Sequence, residues 1–252
     1  MTTVAVMQAR MTSTRFPGKV LADLHGAPML SRQLERVLRA QSLDAVVVAT
    51  STDPSDDPLV EIARSSGASV VRGPLDDVLA RFIVAIDEYK PSTVVRLTAD
   101  CPLAEPAVID LVVSRFLASG ADYVSNTMTP TYPDGLDVEV VKASVLREVA
   151  AVSTDAAERE HVTLGVYRRH DQFRIENVAN AVDFSRLRWT VDTPDDLEFV
   201  RCIYGELYPE NPGFDMNDIL ELLSEQPELN RTIDDAPRNA ALHGLDTGAM
   251  NA

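Results

Sequence analysis

Gln8-Ala9-Arg10-Met11-Thr12-Ser13-Thr14-Arg15-Phe16-Pro17-Gly18-Lys19-Val20-Leu21 is the stretch that decides how this chain is read. A short apolar run, Val4 to Met7, precedes it, and an amphipathic segment from Pro28 to Ala40 follows. The order is strand, loop, helix. The loop carries three cations (Arg10, Arg15, Lys19), three hydroxyls (Thr12, Ser13, Thr14) and a Pro17-Gly18 turn. Loops that follow strands are where open α/β sheets bind ligands, and backbone N–H groups with Arg or Lys beside them suit phosphate. The dinucleotide glycine fingerprint is absent, since Gly18 stands alone. A Walker loop fails too: Val20 follows Gly18-Lys19, and Ser13 stands where the upstream glycine belongs. An ordinary solvated connection would also be polar. The clustering of cations nevertheless runs against a chain whose net charge is −16.

That charge excludes nucleic acid or an anionic membrane as the main partner. An acidic protein holds a polyphosphate through local cations and a metal, not through its overall field. The 252 residues, 45% of them hydrophobic, suit one α/β domain with a small insertion. No apolar run approaches the roughly 18 residues of a membrane span, and no signal peptide is expected ahead of the first strand. Cys101 and Cys202 fit reduced thiols, hence a cytoplasmic protein. The four histidines show no zinc-ligand spacing.

Working outward, Ala45–Thr50 reads as a doubly buried parallel strand. A helix through Ala63, a strand at 69–71, a helix from Leu75 to Tyr89 with Asp76 and Asp77 in its first turn, and a strand at 93–97 follow. This βαβα alternation argues for a doubly wound, mostly parallel sheet. Asp100 ends the last of these strands, where a turn or cap aspartate and a metal ligand are both consistent with its position. Further on, 121–126 is expected as a strand, and Leu136–Val140 as a half-exposed strand that leaves the main sheet to cover the site. Residues 142–150 and 154–169 read as helical, 172–178 and 187–191 as strands, and 194–207 and 215–224 as helices. Thr193, Pro194 and Asp196 make a capping-box-like helix start. That start leaves Asp192, at a strand end, unexplained.

The opening loop resembles the signature loop of the CMP-sugar-acid cytidylyltransferases, closest to the branch named after spore-coat polysaccharide biosynthesis. It departs at Thr12, where many members have Gly or Ala. Arg96-Leu97-Thr98-Ala99-Asp100-Cys101-Pro102-Leu103, Tyr132 to Glu139, Glu158-Arg159-Glu160-His161-Val162-Thr163 and Leu187 to Leu197 resemble further motifs of that family, in the same order. The resemblance implies a Rossmann-like nucleotidyltransferase that uses CTP and Mg²⁺. It implies Ala9, Arg10, Met11, Ser13, Thr14, Arg15, Lys19, Asp77, Arg96 and Asp100 around the nucleotide, with Asp76 also near the base. Asp100 and Asp192 are implied as the metal carboxylates, and Arg10, Lys19, Asp100 and Asp192 as the catalytic set. Magnesium commonly takes one or two protein carboxylates plus substrate phosphates.

Tyr132, Asp137, Glu139, Arg159 and His161 are implied around a small acidic acceptor, a sugar acid or a phosphonate. A solvated strand face and ordinary helix salt bridging account for the same residues. The family also implies a homodimer, with the excursion at about 127–142 serving acceptor or partner. The domain is expected to span 1–225, with 226–252 as a mobile extension. Two rival readings are a glycosyltransferase, against which the missing Asp-X-Asp at Asp100-Cys101-Pro102 counts, and a nucleotide-binding module without catalysis.

Overall fold

A computed structural model describes residues 2–13, 15–234 and Arg238. In chain order its elements are β1 (Thr3–Gln8), β2 (Asp23–Leu24), β3 (Ala27–Pro28), α1 (Met29–Val37), β4 (Ala45–Ser51), α2 (Asp57–Ser65), β5 (Ser69–Gly73), α3 (Val78–Tyr89) and β6 (Thr93–Thr98). Then come α4 (Pro106–Ser119), β7 (Tyr123–Ser125), β8 (Glu139–Lys142), α5 (Ala143–Val152), α6 (Ala156–Glu160), α7 (Leu164–Tyr167), β9 (Ile175–Asn177), α8 (Pro194–Leu207) and α9 (Met216–Glu225).

Seven strands form one sheet in the order β5-β4-β1-β6-β8-β7-β9, parallel except where β8 runs against β6 and β7. Strands β2 and β3 make a small separate hairpin. Both faces of the sheet are covered, which is why its strands are apolar throughout. Ala5 and Met7 pack with α1, α2, α4, α8 and α9, whereas Val4 and Val6 point the other way, toward α3, α5 and α7. Each Leu, Val or Phe so buried stabilises the fold by about 1.5–3 kcal/mol.

Local chemistry sets the helix starts. Thr193 and Asp196 form the expected capping box on α8, with Pro194 in the first turn. Glu105 caps α4 through the Ala107 amide, and Gly120 closes that helix in the left-handed region.

Several expectations need correction. Strand β8 does not leave the sheet as a half-exposed cover: it lies inside, between β6 and β7, with Glu139, Val140 and Val141 buried. Its acidic member faces arginine and tyrosine partners, so alternation here marks a polar cavity wall and not solvent. The excursion is instead made by residues 127–138, which contain no strand. Residues 187–191 form no strand beyond two isolated bridges, Asp134 with Arg188 and Leu187 with Thr232. The expected helix over 154–169 breaks into α6 and α7 around Val162, whose φ of 37° is an outlier for a β-branched residue. Helix α3 begins at Val78, so Asp76 and Asp77 precede it, and Asp77 is its N-cap. Among the described residues no helix is long and apolar enough to cross a membrane.

Candidate active site

Strand β1 feeds a connection toward β4, whereas β6 feeds one toward β7, on the other side. Their carboxyl ends therefore flank the point where the winding reverses, the usual place for a ligand in an open α/β sheet. Gln8 pairs in register with Thr98, and the Ala99 amide donates to the Gln8 carbonyl at 3.1 Å. The loop after β1 and the loop after β6 thus leave the sheet side by side. Between them opens a cavity of about 520 Å³.

Asp56 holds the first loop in shape. This carboxylate is fully buried and accepts from the Met11 amide at 2.8 Å, the Thr50 hydroxyl at 2.9 Å, the Ser51 amide at 3.0 Å and the Ser51 hydroxyl at 2.5 Å. Gly18 turns the chain back with φ of 74°, and its amide donates to the Met11 carbonyl at 2.9 Å. That turn starts the short helical turn Lys19–Leu21 and aims Lys19 inward.

Lys19 Nζ donates to the Val191 carbonyl at 2.6 Å, Asp192 Oδ1 at 3.0 Å and Asp100 Oδ2 at 3.2 Å. Burial opposes its charge, but Asp100 and then Asp192 outweigh burial and raise its pKa. Burial would likewise push Asp100 up, yet Lys19 and the Thr98 hydroxyl hold it down at about 2. Arg15 reaches Asp192 Oδ1 at 2.9 Å. Asp192 Oδ2 takes Arg188 Nη2 at 3.1 Å, and the same buried guanidinium also holds Asp134 and Asp196. Cys101 is buried beside Asp100, and burial followed by that carboxylate pushes its thiol well up, away from nucleophilic use.

These donors fit a small hard cation. Two carboxylates, Asp100 after β6 and Asp192 before α8, converge on one ammonium ion, and both are oxygen donors. Among the described residues no group of three or more His, Cys, Asp or Glu side chains converges. Any remaining ligands would therefore be water or substrate oxygens.

At the other end, Arg96 on β6 pairs with Glu139 opposite it on β8 and donates from Nε to Gln8 Oε1 at 3.2 Å. Glu139 also accepts from the Tyr123 hydroxyl at 2.7 Å and from Tyr167. Burial opposes its charge, but Arg96 wins and lowers its pKa. The break between α6 and α7 points His161 and Thr163 at the same space. Burial lowers the His161 pKa against the pull of Glu160, so the ring is neutral at pH 7. Arg10 bonds Glu160 at 3.2 Å. Asp134 and Asp137 line the near wall, where Arg238 from the C-terminal segment pairs with Asp137.

Of the residues singled out from sequence, the cavity gathers Ala9, Arg10, Ser13, Arg15, Lys19, Arg96, Asp100, Asp137, Glu139, His161 and Asp192. It does not include Met11, Asp77, Tyr132 or Arg159. Met11 serves through its backbone. Asp77 caps α3 and takes Arg159 Nε at 2.8 Å, so each occupies the other. Tyr132 is buried, and Asp76 is exposed. Thr14 lies outside the described residues. Sequence reasoning missed Asp56, Arg81, Arg188 and Tyr167. Only Arg188 carried a hint, as a charge set among apolar residues just before Asp192.

The chain matches the family model described as cytidylyltransferase over residues 4–202. It is 32% identical over 230 residues to the spore coat polysaccharide biosynthesis protein SpsF of Bacillus subtilis, covering 88% of this chain and 94% of that one. It is 35% identical over 154 residues to a 3-deoxy-manno-octulosonate cytidylyltransferase of Anaeromyxobacter dehalogenans, covering 60% of each. A solved cytidylyltransferase from Leptospira borgpetersenii superimposes with TM-score 0.87 at 31% identity, over 91% of this chain and 96% of that one. A CMP:2-keto-3-deoxy-manno-octonic acid synthetase complexed with CTP shares the fold at TM-score 0.61 and 18% identity, over 82% of this chain and 99% of that one. The sheet order, the cation-bearing loop and these matches lead to one conclusion: the chain is a nucleotidyltransferase and belongs to the cytidylyltransferase family.

Proposed function

We propose that the chain transfers CMP from CTP to a small acidic acceptor, a sugar acid or a phosphonate, and releases pyrophosphate. The observation that carries this reading is the convergence of Lys19, Asp100 and Asp192 beside Arg10 and Arg15, in one cavity at the reversal point of the sheet. The acceptor oxygen, a phosphonate oxygen or a sugar hydroxyl that loses its proton to solvent, attacks the α-phosphorus, the bond to the bridging oxygen of the β-phosphate breaks, and pyrophosphate leaves with that electron pair. Such transfers depend on positioning and charge stabilisation more than on covalent actors. Arg10, Arg15 and Lys19 bind the phosphates, with Lys19 released from the carboxylates toward them. Asp100 and Asp192 would hold Mg²⁺, which when bound neutralises charge on the phosphate oxygens.

The acceptor lies toward Arg96, Glu139, His161 and Tyr167, where hydroxyls and a neutral imidazole orient its polar groups. A homodimer closing over the 127–138 excursion belongs to the same reading, as does the C-terminal segment contributing Arg238 to the wall. The test is pyrophosphate release from each of the four nucleoside triphosphates with Mg²⁺, against a panel of sugar acids and phosphonates. CTP-selective release with one acceptor class is expected. CTP binding with no release against any acceptor would favour a binding module. Transfer from a nucleotide sugar would establish the glycosyltransferase alternative.

A further inference from the structure

Every carboxylate oxygen of Asp100 and Asp192 is already engaged. Asp100 Oδ1 accepts from the Thr98 hydroxyl at 2.6 Å, and Oδ2 takes Lys19 at 3.2 Å. Asp192 Oδ1 takes Lys19 at 3.0 Å and Arg15 at 2.9 Å, and Oδ2 takes Arg188 at 3.1 Å. These partners are of two kinds. Thr98 ends β6, and Arg188, with a side chain 1% exposed, also ties down Asp134 and Asp196, so both are fixed. Lys19 and Arg15 belong to the loop after β1 and sit on long flexible stems, and the Arg15 side chain is 46% exposed. The oxygens open to exchange are therefore Asp100 Oδ2 and Asp192 Oδ1.

The two carboxylates cannot spread to admit a further cation. The Val191 amide donates to the Asp100 carbonyl at 2.8 Å and the Thr190 hydroxyl donates to the same oxygen at 3.1 Å. Those bonds join one backbone to the other, and the Asp192 amide is held in turn by Asp196 at 2.9 Å. Lys19 also donates to the Val191 carbonyl at 2.6 Å, and its side chain is only 9% exposed. A divalent ion on these oxygens would share a poorly hydrated pocket with an ammonium ion. Like charges so close repel strongly where water is scarce. The ammonium ion and the metal are alternatives.

We propose that a divalent cation and the loop cations exchange on this one pair of oxygens, so that metal enters only with the nucleotide. A triphosphate in the cavity offers Lys19 and Arg15 another anion. As they turn to it, Asp100 Oδ2 and Asp192 Oδ1 come free together, and one divalent ion replaces two single charges. The carboxylates stay compensated throughout, and without nucleotide Lys19 keeps metal out. This inference rests on the triphosphate and metal roles proposed above.

The experiment measures Mn²⁺ binding by water-proton relaxation, which separates protein-bound ion from the free Mn²⁺–CTP complex. Titrations with Mn²⁺ alone compare the wild type with Lys19→Met, Arg15→Gln and the double variant Lys19→Met/Asp100→Asn, with thermal unfolding of each. Removing a like charge from beside a divalent ion should tighten Mn²⁺ binding by at least about tenfold in Lys19→Met. The double variant should lose that gain, and Mn²⁺ should raise the melting temperature of Lys19→Met but not of the wild type. Arg15→Gln removes only the more exposed cation, should show a smaller gain, and carries the test if Lys19→Met fails to fold. Equal Mn²⁺ affinity in wild type and single variants, no binding in any of them, or a gain that survives Asp100→Asn would overturn the exchange. Adding CTP separates this inference from the reading beneath it. If CTP brings Mn²⁺ onto the wild type but not onto Asp100→Asn, equal affinities without nucleotide would overturn the exchange alone. No Asp100-dependent Mn²⁺ binding with CTP would overturn the metal role and the exchange together.

Discussion

Replacing Lys19 by methionine tests whether the ammonium ion organises the site before any ligand arrives. The substitution keeps the stem and removes three hydrogen bonds, at 2.6, 3.0 and 3.2 Å. It also leaves Asp100 and Asp192 facing one another. Breaking a buried charge network by deleting one partner costs about 3–5 kcal/mol. The side chains of Asp100 and Asp192 are 29% and 13% exposed, and Arg15 still reaches Asp192, so hydration and that contact offset part of the loss. We expect a destabilisation of about 3 kcal/mol. At about 2–4 °C per kcal/mol for a chain of this size, the melting temperature should fall by roughly 6–12 °C.

The pH dependence has a definite sign. Asp100 is held at about 2 in the folded chain against an ordinary 3.8. The network therefore adds stability above the ordinary value, and that stability is lost as pH falls through the folded one. The wild-type advantage should be full at pH 5 to 7 and shrink between about pH 4 and pH 2. Urea unfolding across that range, with a carboxyl ¹³C titration of Asp100, measures it. A melting temperature within 2 °C of wild type and a gap independent of pH would refute the reasoning.

Asp56→Ala should cost about 2–4 kcal/mol, because it orphans the half-buried Met11 amide and the buried Ser51 amide. It should also raise KM for CTP more than it lowers kcat, and an unchanged KM would show that the loop holds its shape without Asp56. Gly135 has φ of 112°, and an added Cβ would lie 2.7 Å from the Thr190 nitrogen and the Trp189 carbonyl carbon. Gly135→Ala should therefore lose at least about 2 kcal/mol, read by denaturant midpoint. Burial and then Asp137 raise Asp134 to about 7, against Arg238 and Arg188. A folded pKa above the unfolded one makes this contribution greatest below the ordinary value of 3.8, erodes it as pH rises from there to about 7, and leaves it lost above that. Asp134→Asn should flatten that decline between about pH 4 and pH 7, which calorimetry would show.

The fold was legible because its evidence is local: apolar runs, helix spacing and caps are written in neighbouring residues. Asp192 stood out for the same reason, since the capping box explained the residues after it but not Asp192 itself. What escaped depends on partners far along the chain. Met11 and Asp56 are 45 positions apart, and Arg188 and Asp134 are 54. No short window shows that Asp56 anchors the loop or that Arg188 ties three aspartates together.

Residues 187–191 looked like a strand by composition, but their amides go to three separate segments. Arg188 donates to Arg231, Trp189 to Asp134 and Val191 to Asp100, so no ladder forms. The pairing of Asp77 with Arg159 was equally invisible, and it places both outside the cavity lining where sequence had put them at the site. Arg81 gave no signal at all. An arginine in an amphipathic helix reads as a surface residue until its burial is seen.

The reversal of strand direction between β6 and β8 has a consequence for how the chain can be modified. Strands β1, β4, β5 and β6 are locked together by crossovers, so inserting a residue in one shifts every neighbour. Strand β8 is entered from the long segment after β7, whose tip at Thr129 is exposed. Length added at that tip need not disturb the parallel register. The seam, bridged by Arg96 and Glu139, therefore divides a conservative half, which carries the cation-bearing loop, from a half whose connections can change length. Grafting a relative's 127–133 segment would leave the register of the parallel half untouched.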